Sequence, residues 1–212
     1  MKVLAVGDLH APFIHKNYLA HCKDVAKKNK IDKVVFIGDI IDAHFSSFHV
    51  TDPDGYGGED ELDLAIDQIA DWYKAFPEAT VILGNHDRIV TRKAKMANLP
   101  SKWVRDFNDV LGTPNWYWKI EEEIDGVLYV HGEASTARTT MKNEGQPVVQ
   151  GHRHSEMYVE YLSNNRFAVQ VGCGVDRTSY AMEYARAYKK QQLGCAVIED
   201  GKVAQIFPMI NK

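Results

Sequence analysis

Five short blocks hold most of the side chains in this chain that could do chemistry together. They are Asp8-Leu9-His10, Gly38-Asp39-Ile40-Ile41-Asp42, Gly84-Asn85-His86-Asp87, Val130-His131-Gly132 and Gly151-His152-Arg153-His154. Between them they offer the hard carboxylates Asp8 and Asp39, the amide oxygen of Asn85, and the imidazoles of His10, His131, His152 and His154. Oxygen and imidazole donors in that mixture suit a pair of borderline divalent ions such as manganese, iron or zinc. A two-metal site activates water and clamps a phosphoryl group in transfer. Hydrolysis of a phosphate ester is therefore the chemistry to expect. His86 is left over from the ligand set.

The elements needed to gather these blocks can be read from the apolar pattern. Runs 3–6, 34–37 and 80–83 do not alternate, which predicts strands buried on both faces. Amphipathic helical stretches at 16–29 and 59–75 separate them. That rhythm predicts parallel strands with crossover helices. The second half is different. Trp118–Ile124 and Val127–Val130 flank Asp125-Gly126, a primed-turn signal for a hairpin. Met157–Leu162 and Phe167–Val171 flank Asn164-Asn165, and Gly194–Glu199 and Lys202–Phe207 flank Asp200-Gly201. Further helices are expected near 88–109, 134–144 and 178–190. The expected fold is α/β, two mixed sheets packed face to face with helices outside. Asp8, His10, Asp39, Asn85 and His131 each follow a strand, so their ligands should converge beyond the carboxyl ends of the strands. His152 and His154 are two apart, which on a regular strand would turn both to one side.

Bulk properties set the frame. At 212 residues the expectation is one domain spanning 1–212. The hydrophobic and charged fractions, 45% and 25%, are those of an ordinary globular protein. A net charge of -4 argues against a surface coated in basic residues, though not against a local basic face. Cys22, Cys173 and Cys195 form no CxxC pair, which fits free thiols in a reducing compartment. Residues 2–6 are too short for a signal segment, and no apolar run approaches the roughly 18 residues of a membrane span. A cytoplasmic protein with no membrane partner is expected.

The five blocks, in this order, resemble the motifs DxH, GDxxD, GNHD, a strand ending in His, and GHxH of the calcineurin-like metallophosphoesterase superfamily. The match spans residues 8–154, and Val171-Gly172-Cys173-Gly174 resembles a further strand end of that family. The resemblance implies a four-layer α/β/β/α sandwich. It implies that Asp8, His10, Asp39 and His154 ligate a first metal and Asp39, Asn85, His131 and His152 a second, with Asp39 bridging. It implies two divalent ions, manganese first, with iron, zinc, nickel or cobalt as alternatives. It further implies that His86 is the general acid that protonates the leaving oxygen, with Asp42 as the carboxylate that orients it. Imidazole suits that task because its ordinary pKa of about 6.5 lies near working pH. Asp42 could instead be a loop or helix-capping residue, and Asp87 reads as a surface or cap residue.

The chain departs from the protein serine/threonine phosphatases of the superfamily after Asp42. They carry an Arg there that grips phosphate, and here the position is Ala43. His44, Arg88 and Arg153 are the candidates to compensate. Residues 44–58, with Phe45, Phe48 and Tyr56, form either a substrate rim or an ordinary surface loop. From 88 to 105 there are six cations, Arg88, Arg92, Lys93, Lys95, Lys102 and Arg105, with no acid among them. The preferred reading of that run is a solvated helical face with Trp103 packed inward. The alternative is a face that tracks a nucleic-acid backbone, with Trp103 stacking on a base. Arg186, Lys189 and Lys190 read as the last turn of a helix meeting its dipole. His15, His21 and His49 read as surface or packing residues.

Three functions compete. The first is a phosphoesterase acting on phosphodiesters or small phosphomonoesters, nucleotides included. The second is a nuclease acting on DNA or RNA ends. The third is a protein-binding scaffold. Scaffold members of the superfamily carry eroded ligands or lack the acid, whereas this chain keeps all the ligand types and His86. No protein partner can be named from the sequence.

Overall fold

The computed structural model describes residues 1–48, 51–162, 164–185 and 190–210. The first half alternates as its apolar runs dictate: β1 (Lys2–Val6), α1 (Tyr18–Asn29), β2 (Lys33–Phe36), α2 (Gly58–Ala75) and β3 (Ala79–Ile82). β1, β2 and β3 run parallel. The 88–109 segment is not one helix. It divides into α3 (Ile89–Met96), a 3-10 turn at Ser101–Trp103, and α4 (Phe107–Leu111). The break has a local cause. Asn98 takes a left-handed φ of 56° and its N–H donates to the Lys95 carbonyl, while the Leu99 N–H donates to that of Ala94. That pair of bonds is a Schellman ending, and Pro100 then bars a restart.

The remaining strands are β4 (Trp116–Lys119), β5 (Glu121–Ile124), β6 (Val127–Val130), β7 (Val148–Gln150), β8 (Tyr158–Tyr161), β9 (Phe167–Gln170), β10 (Gly194–Glu199) and β11 (Val203–Pro208), with α5 at Ala137–Glu144. All three expected hairpins form: β5 with β6, β8 with β9, and β10 with β11 are antiparallel. Asp125-Gly126, Asn164-Asn165 and Asp200-Gly201 supply the paired positive φ angles that primed turns require. One strand boundary differs from expectation. Trp118 and Lys119 belong to β4, parallel to β3, and the chain changes sheets at exposed Ile120. The expected helix at 178–190 is a 3-10 helix over Tyr180–Ala185. Arg186, Lys189 and His49 lie outside the described residues.

Two mixed sheets result, ordered β11-β10-β1-β2-β3-β4 and β5-β6-β7-β9-β8. Alternate residues of β1 explain the layering. Val3 and Ala5 pack with Val35, Tyr129, Val149, Phe167 and Val169 between the sheets. Leu4 and Val6 face outward onto Tyr18 and Cys22 of α1 and Ile69 and Trp72 of α2. On the other side Leu128, Val148 and Ala168 pack on Ala137 and Met141 of α5. The order is therefore helix, sheet, sheet, helix. Among the described residues no helix is long and apolar enough to cross a membrane.

Candidate metal centre

The carboxyl ends of β1, β2, β3, β6 and β7 lie on one rim, and the five blocks follow them there. Tight turns let the side chains crowd. His10, Asp39, Ala43 and His152, none of them glycine, hold positive φ angles of 52°, 48°, 53° and 67°. Such angles cost energy at non-glycine residues and cluster at functional sites. Gly84 shows how little room remains, because a side chain there would collide with the backbone nitrogen and carboxylate of Asp39. His152 and His154 sit in the turn after β7 rather than on a strand, and the positive φ of His152 aims the pair instead of strand alternation.

Asp8, His10, Asp39, Asp42, Asp87 and His131 are all buried. Asp39 Oδ2 lies 3.2 Å from His131 Nε2 and 3.5 Å from His10 Nε2, between two groups of donors. On one side, His131 Nε2 is 3.0 Å from Asn85 Oδ1 and 3.2 Å from His152 Nδ1. On the other, His154 Nε2 is 3.0 Å from Asp8 Oδ2, and the rings of His10 and His154 are 4.9 Å apart. The sets Asp8/His10/His154 and Asp39/His131/His152 could each hold a metal ion. Asn85 faces the second set.

The donor chemistry fits cations. The His131 Nδ1–H donates to the Ile37 carbonyl at 2.8 Å, which aims Nε2 at the oxygens of Asp39 and Asn85, where it can carry a proton or ligate a cation. His10 Nδ1 is 2.5 Å from Asp42 Oδ1, which likewise turns Nε2 inward toward Asp39. His10 Nε2 and Asp8 Oδ1 are buried with no hydrogen-bond partner. Donor atoms packed this closely repel unless a proton or a metal ion lies between them. The electrostatics agree. Burial opposes charge on His10, yet Asp39 and Asp42 outweigh it and raise that ring well above its ordinary pKa. Burial likewise opposes charge on His131, and Asp39 lifts it to about 9. A field that favours a proton on these rings favours a metal ion in its place. Asp39 is held well below the carboxylate range: burial resists, but His131 and His10 prevail.

His86 stands at the mouth, its side chain 19% exposed. Its Nδ1–H donates to the Asp42 carbonyl at 2.6 Å, and its backbone N–H donates to Asp39 Oδ1 at 2.8 Å. The Asp42 carboxylate is 3.6 Å from His86 Nδ1, well beyond its 2.5 Å contact with His10. The orienting bond to His86 thus comes from the backbone of Asp42, and the side chain grips His10 instead. Burial and His10 lower the pKa of His86.

Asp87, expected at the surface, is buried. It accepts from the N–H groups of Ile40 (2.9 Å), Ile41 (3.2 Å) and Gly84 (2.9 Å), so it ties the second block to the third. Its place three residues after Gly84 was the available signal, since a side-chain acceptor there can cap that turn. Burial and the nearby Asp39 push its carboxyl up to about 7.

The three compensating candidates flank the centre, and each already has protein partners. His44 Nδ1 is 3.8 Å from Asp42 Oδ2, and its Nε2 accepts from the Asp52 N–H. Arg88 pairs with Glu133 and donates to the Gly84 carbonyl at 3.0 Å. Arg153 pairs with Glu156 and reaches the Ser135 carbonyl at 3.4 Å. Ala43 is buried. Glu61 on α2 accepts from the N–H groups of His44 and Phe45 and anchors the start of the 44–58 loop. Trp103 is not packed inward: it is 80% exposed.

A model of the calcineurin-like phosphoesterase family matches residues 1–187. No sequence among the curated proteins matches the chain significantly. Vacuolar protein sorting 29 from Cryptosporidium parvum superposes with a TM-score of 0.50 at 13% identity, covering 99% of this chain and 98% of that one. The phosphoesterase Yfce of E. coli gives 0.43 at 12% identity, covering 94% and 88%. Pseudomonas putida nuclease MPE gives 0.45 at 15% identity, covering 98% and 86%. At these identities the first is a likeness of fold.

Proposed function

Because the chain belongs to the calcineurin-like phosphoesterase family, we propose that it is a dinuclear metal-dependent phosphoesterase, acting on phosphodiesters or small phosphomonoesters. One observation carries this reading: His131 Nε2 lies 3.0 Å from Asn85 Oδ1, 3.2 Å from His152 Nδ1 and 3.2 Å from Asp39 Oδ2, so four potential metal-ligating atoms crowd together. Asp8, His10, Asp39 and His154 would hold one ion, and Asp39, Asn85, His131 and His152 the other. Two divalent ions there would supply an activated water and neutralise the phosphoryl oxygens. Nitrogen and oxygen donors without a nearby thiolate suit manganese, with iron, zinc, nickel or cobalt as alternatives.

The chain's own residues do the rest. His86 donates the proton to the departing oxygen from Nε2, since Nδ1 is committed to the Asp42 carbonyl. The Asp42 carboxylate favours the imidazolium form that this requires, while burial and His10 oppose it. Asp42 also fixes the ring of His10 so that Nε2 faces inward. With Ala43 buried, no Arg grips phosphate from that position, which supports small or diester substrates over phosphoproteins. Arg88 and Arg153 are the cations that would meet substrate at the edge, after exchanging their present partners.

The same reading treats residues 1–212 as one domain in the cytoplasm. The buried free thiols of Cys22, Cys173 and Cys195 support a reducing compartment. A second reading, a nuclease acting on DNA or RNA ends, is favoured by the exposure of Trp103 among cations.

The test is hydrolysis of bis-p-nitrophenyl phosphate beside p-nitrophenyl phosphate by metal-stripped protein with manganese restored. Metal-dependent turnover of either ester supports the reading, and preference for the diester selects a phosphodiesterase. Inertness toward both with every divalent ion tried would count against it.

A further inference from the structure

The segment that leaves the GNHD block has a surface that contributes little to the fold. α3, about 12 Å long, starts three residues after His86. Arg92 and Lys95 are exposed on it, as are Lys102, Trp103 and Arg105 beyond it. Among the described residues, Arg92, Lys93, Lys95 and Lys102 have no ion pair with a carboxylate. Arg92 and Lys93 lie over the ring of Phe48, at 4.7 and 5.3 Å from its centroid. They therefore bring positive charge to the 44–48 side of the rim. Trp103 is 80% exposed and Met96 71%. A bare indole amid unpaired cations, on a chain of net charge -4, calls for an anionic partner with flat faces.

We propose that α3 and the 101–103 turn form a landing strip for single-stranded nucleic acid. Trp103 stacks on a base, and Arg92, Lys95 and Lys102 contact backbone phosphates, which leads a phosphodiester toward His86. The inference rests on the phosphodiester reading of the centre. An unpaired base is required because a base inside a duplex offers no free face to the indole. Charge complementarity and continuity with the centre select a polyphosphate strand: Arg88, which opens the segment, donates to the carbonyl of Gly84 in the GNHD block itself.

The experiment uses the full chain stripped of metal, so that nothing is cleaved. Fluorescence anisotropy follows a labelled oligothymidylate of about 12 nucleotides, within the usual site size. The expected result is binding that weakens with salt, is poorer for a duplex of equal length, and quenches tryptophan fluorescence. Trp103→Ala should weaken binding about tenfold, the loss of one stack, and remove most of the quench, because Trp72 and Trp116 are buried and half-buried Trp118 already stacks on Phe107. A Lys95→Glu/Lys102→Glu double variant should also lower the salt slope by about 1.4, the share of two phosphates. No binding by the unaltered protein overturns the inference, as does equal binding by the variants. Preferential capture of the protein by phosphatidylserine vesicles, which would displace the strand, also overturns it. Hydrolysis of bis-p-nitrophenyl phosphate is measured in parallel. Hydrolysis without strand binding defeats this inference alone, whereas binding without hydrolysis of any ester keeps the strip and defeats the phosphoesterase reading.

Discussion

The centre and the segment that leaves it differ in almost every physical respect, although only two residues separate His86 from α3. In the centre Asp8, His10, Asp39, Asp42 and Asp87 are buried, and most of their polar atoms are claimed by one another or by backbone, with Asp8 Oδ1 and His10 Nε2 left over. In the segment Arg92, Lys95 and Trp103 stand in solvent. The centre's side chains are fixed before any substrate arrives, which is what electrostatic preorganisation demands. The segment's side chains are fixed by little, which suits a surface that adapts to a partner. Substitutions inside should therefore cost activity or stability, and substitutions outside should cost strand binding while leaving stability intact.

The largest effect should come from Asp39→Asn. Losing the carboxylate proposed to bridge both ions should cut turnover by about 10³-fold or more, the several kcal/mol a metal centre supplies. Calorimetric metal titration checks the cause, and unchanged stoichiometry would break the bridging assignment. His86→Ala should slow turnover about 10²- to 10³-fold with metal retained. A series of leaving groups sharpens this: equal slowing for good and poor leaving groups would remove His86 from the proton-donor role. Asp87→Ala should leave three buried N–H groups unpaired and lower unfolding free energy by about 3 kcal/mol, read by urea denaturation. A loss within 0.5 kcal/mol would make Asp87 incidental. Asp42→Ala should weaken metal binding about 10- to 100-fold, because its carboxylate holds His10. If metal binding is intact and only poor leaving groups slow, the side chain serves His86 instead. The smallest effect should be that of Trp103→Ala on stability, within about 0.5 kcal/mol by the same denaturation. A larger loss would show that the indole packs, and would erase the contrast.

The same division governs how far the sequence could be read. Uninterrupted apolar runs marked β1, β2 and β3 because burial on both faces leaves no alternation. Asp-Gly and Asn-Asn pairs marked the hairpins because few residues tolerate two positive φ angles. The blocks marked the centre because metals restrict donor types. What escaped depended on tertiary context. The change of sheet at Ile120 has no local signal, since Trp118 and Glu121 suit a strand in either sheet. Asp87 looks like any turn aspartate until the N–H groups of Ile40 and Ile41 are brought to it from 47 and 46 residues away. Trp103 is expected inward because an indole usually buries its large apolar area, and its 80% exposure has no local signal. Asn98-Leu99-Pro100, by contrast, was a legible stop signal, and it is what turns the expected long helix into two short ones.

The carboxylate of Asp87 has one further consequence. Three amides, those of Ile40, Ile41 and Gly84, share this single acceptor across two loops. None can open to solvent without the loss being felt by the others. Their exchange with deuterium should therefore proceed at one common rate, set by the joint release of both loops rather than by the fraying of either.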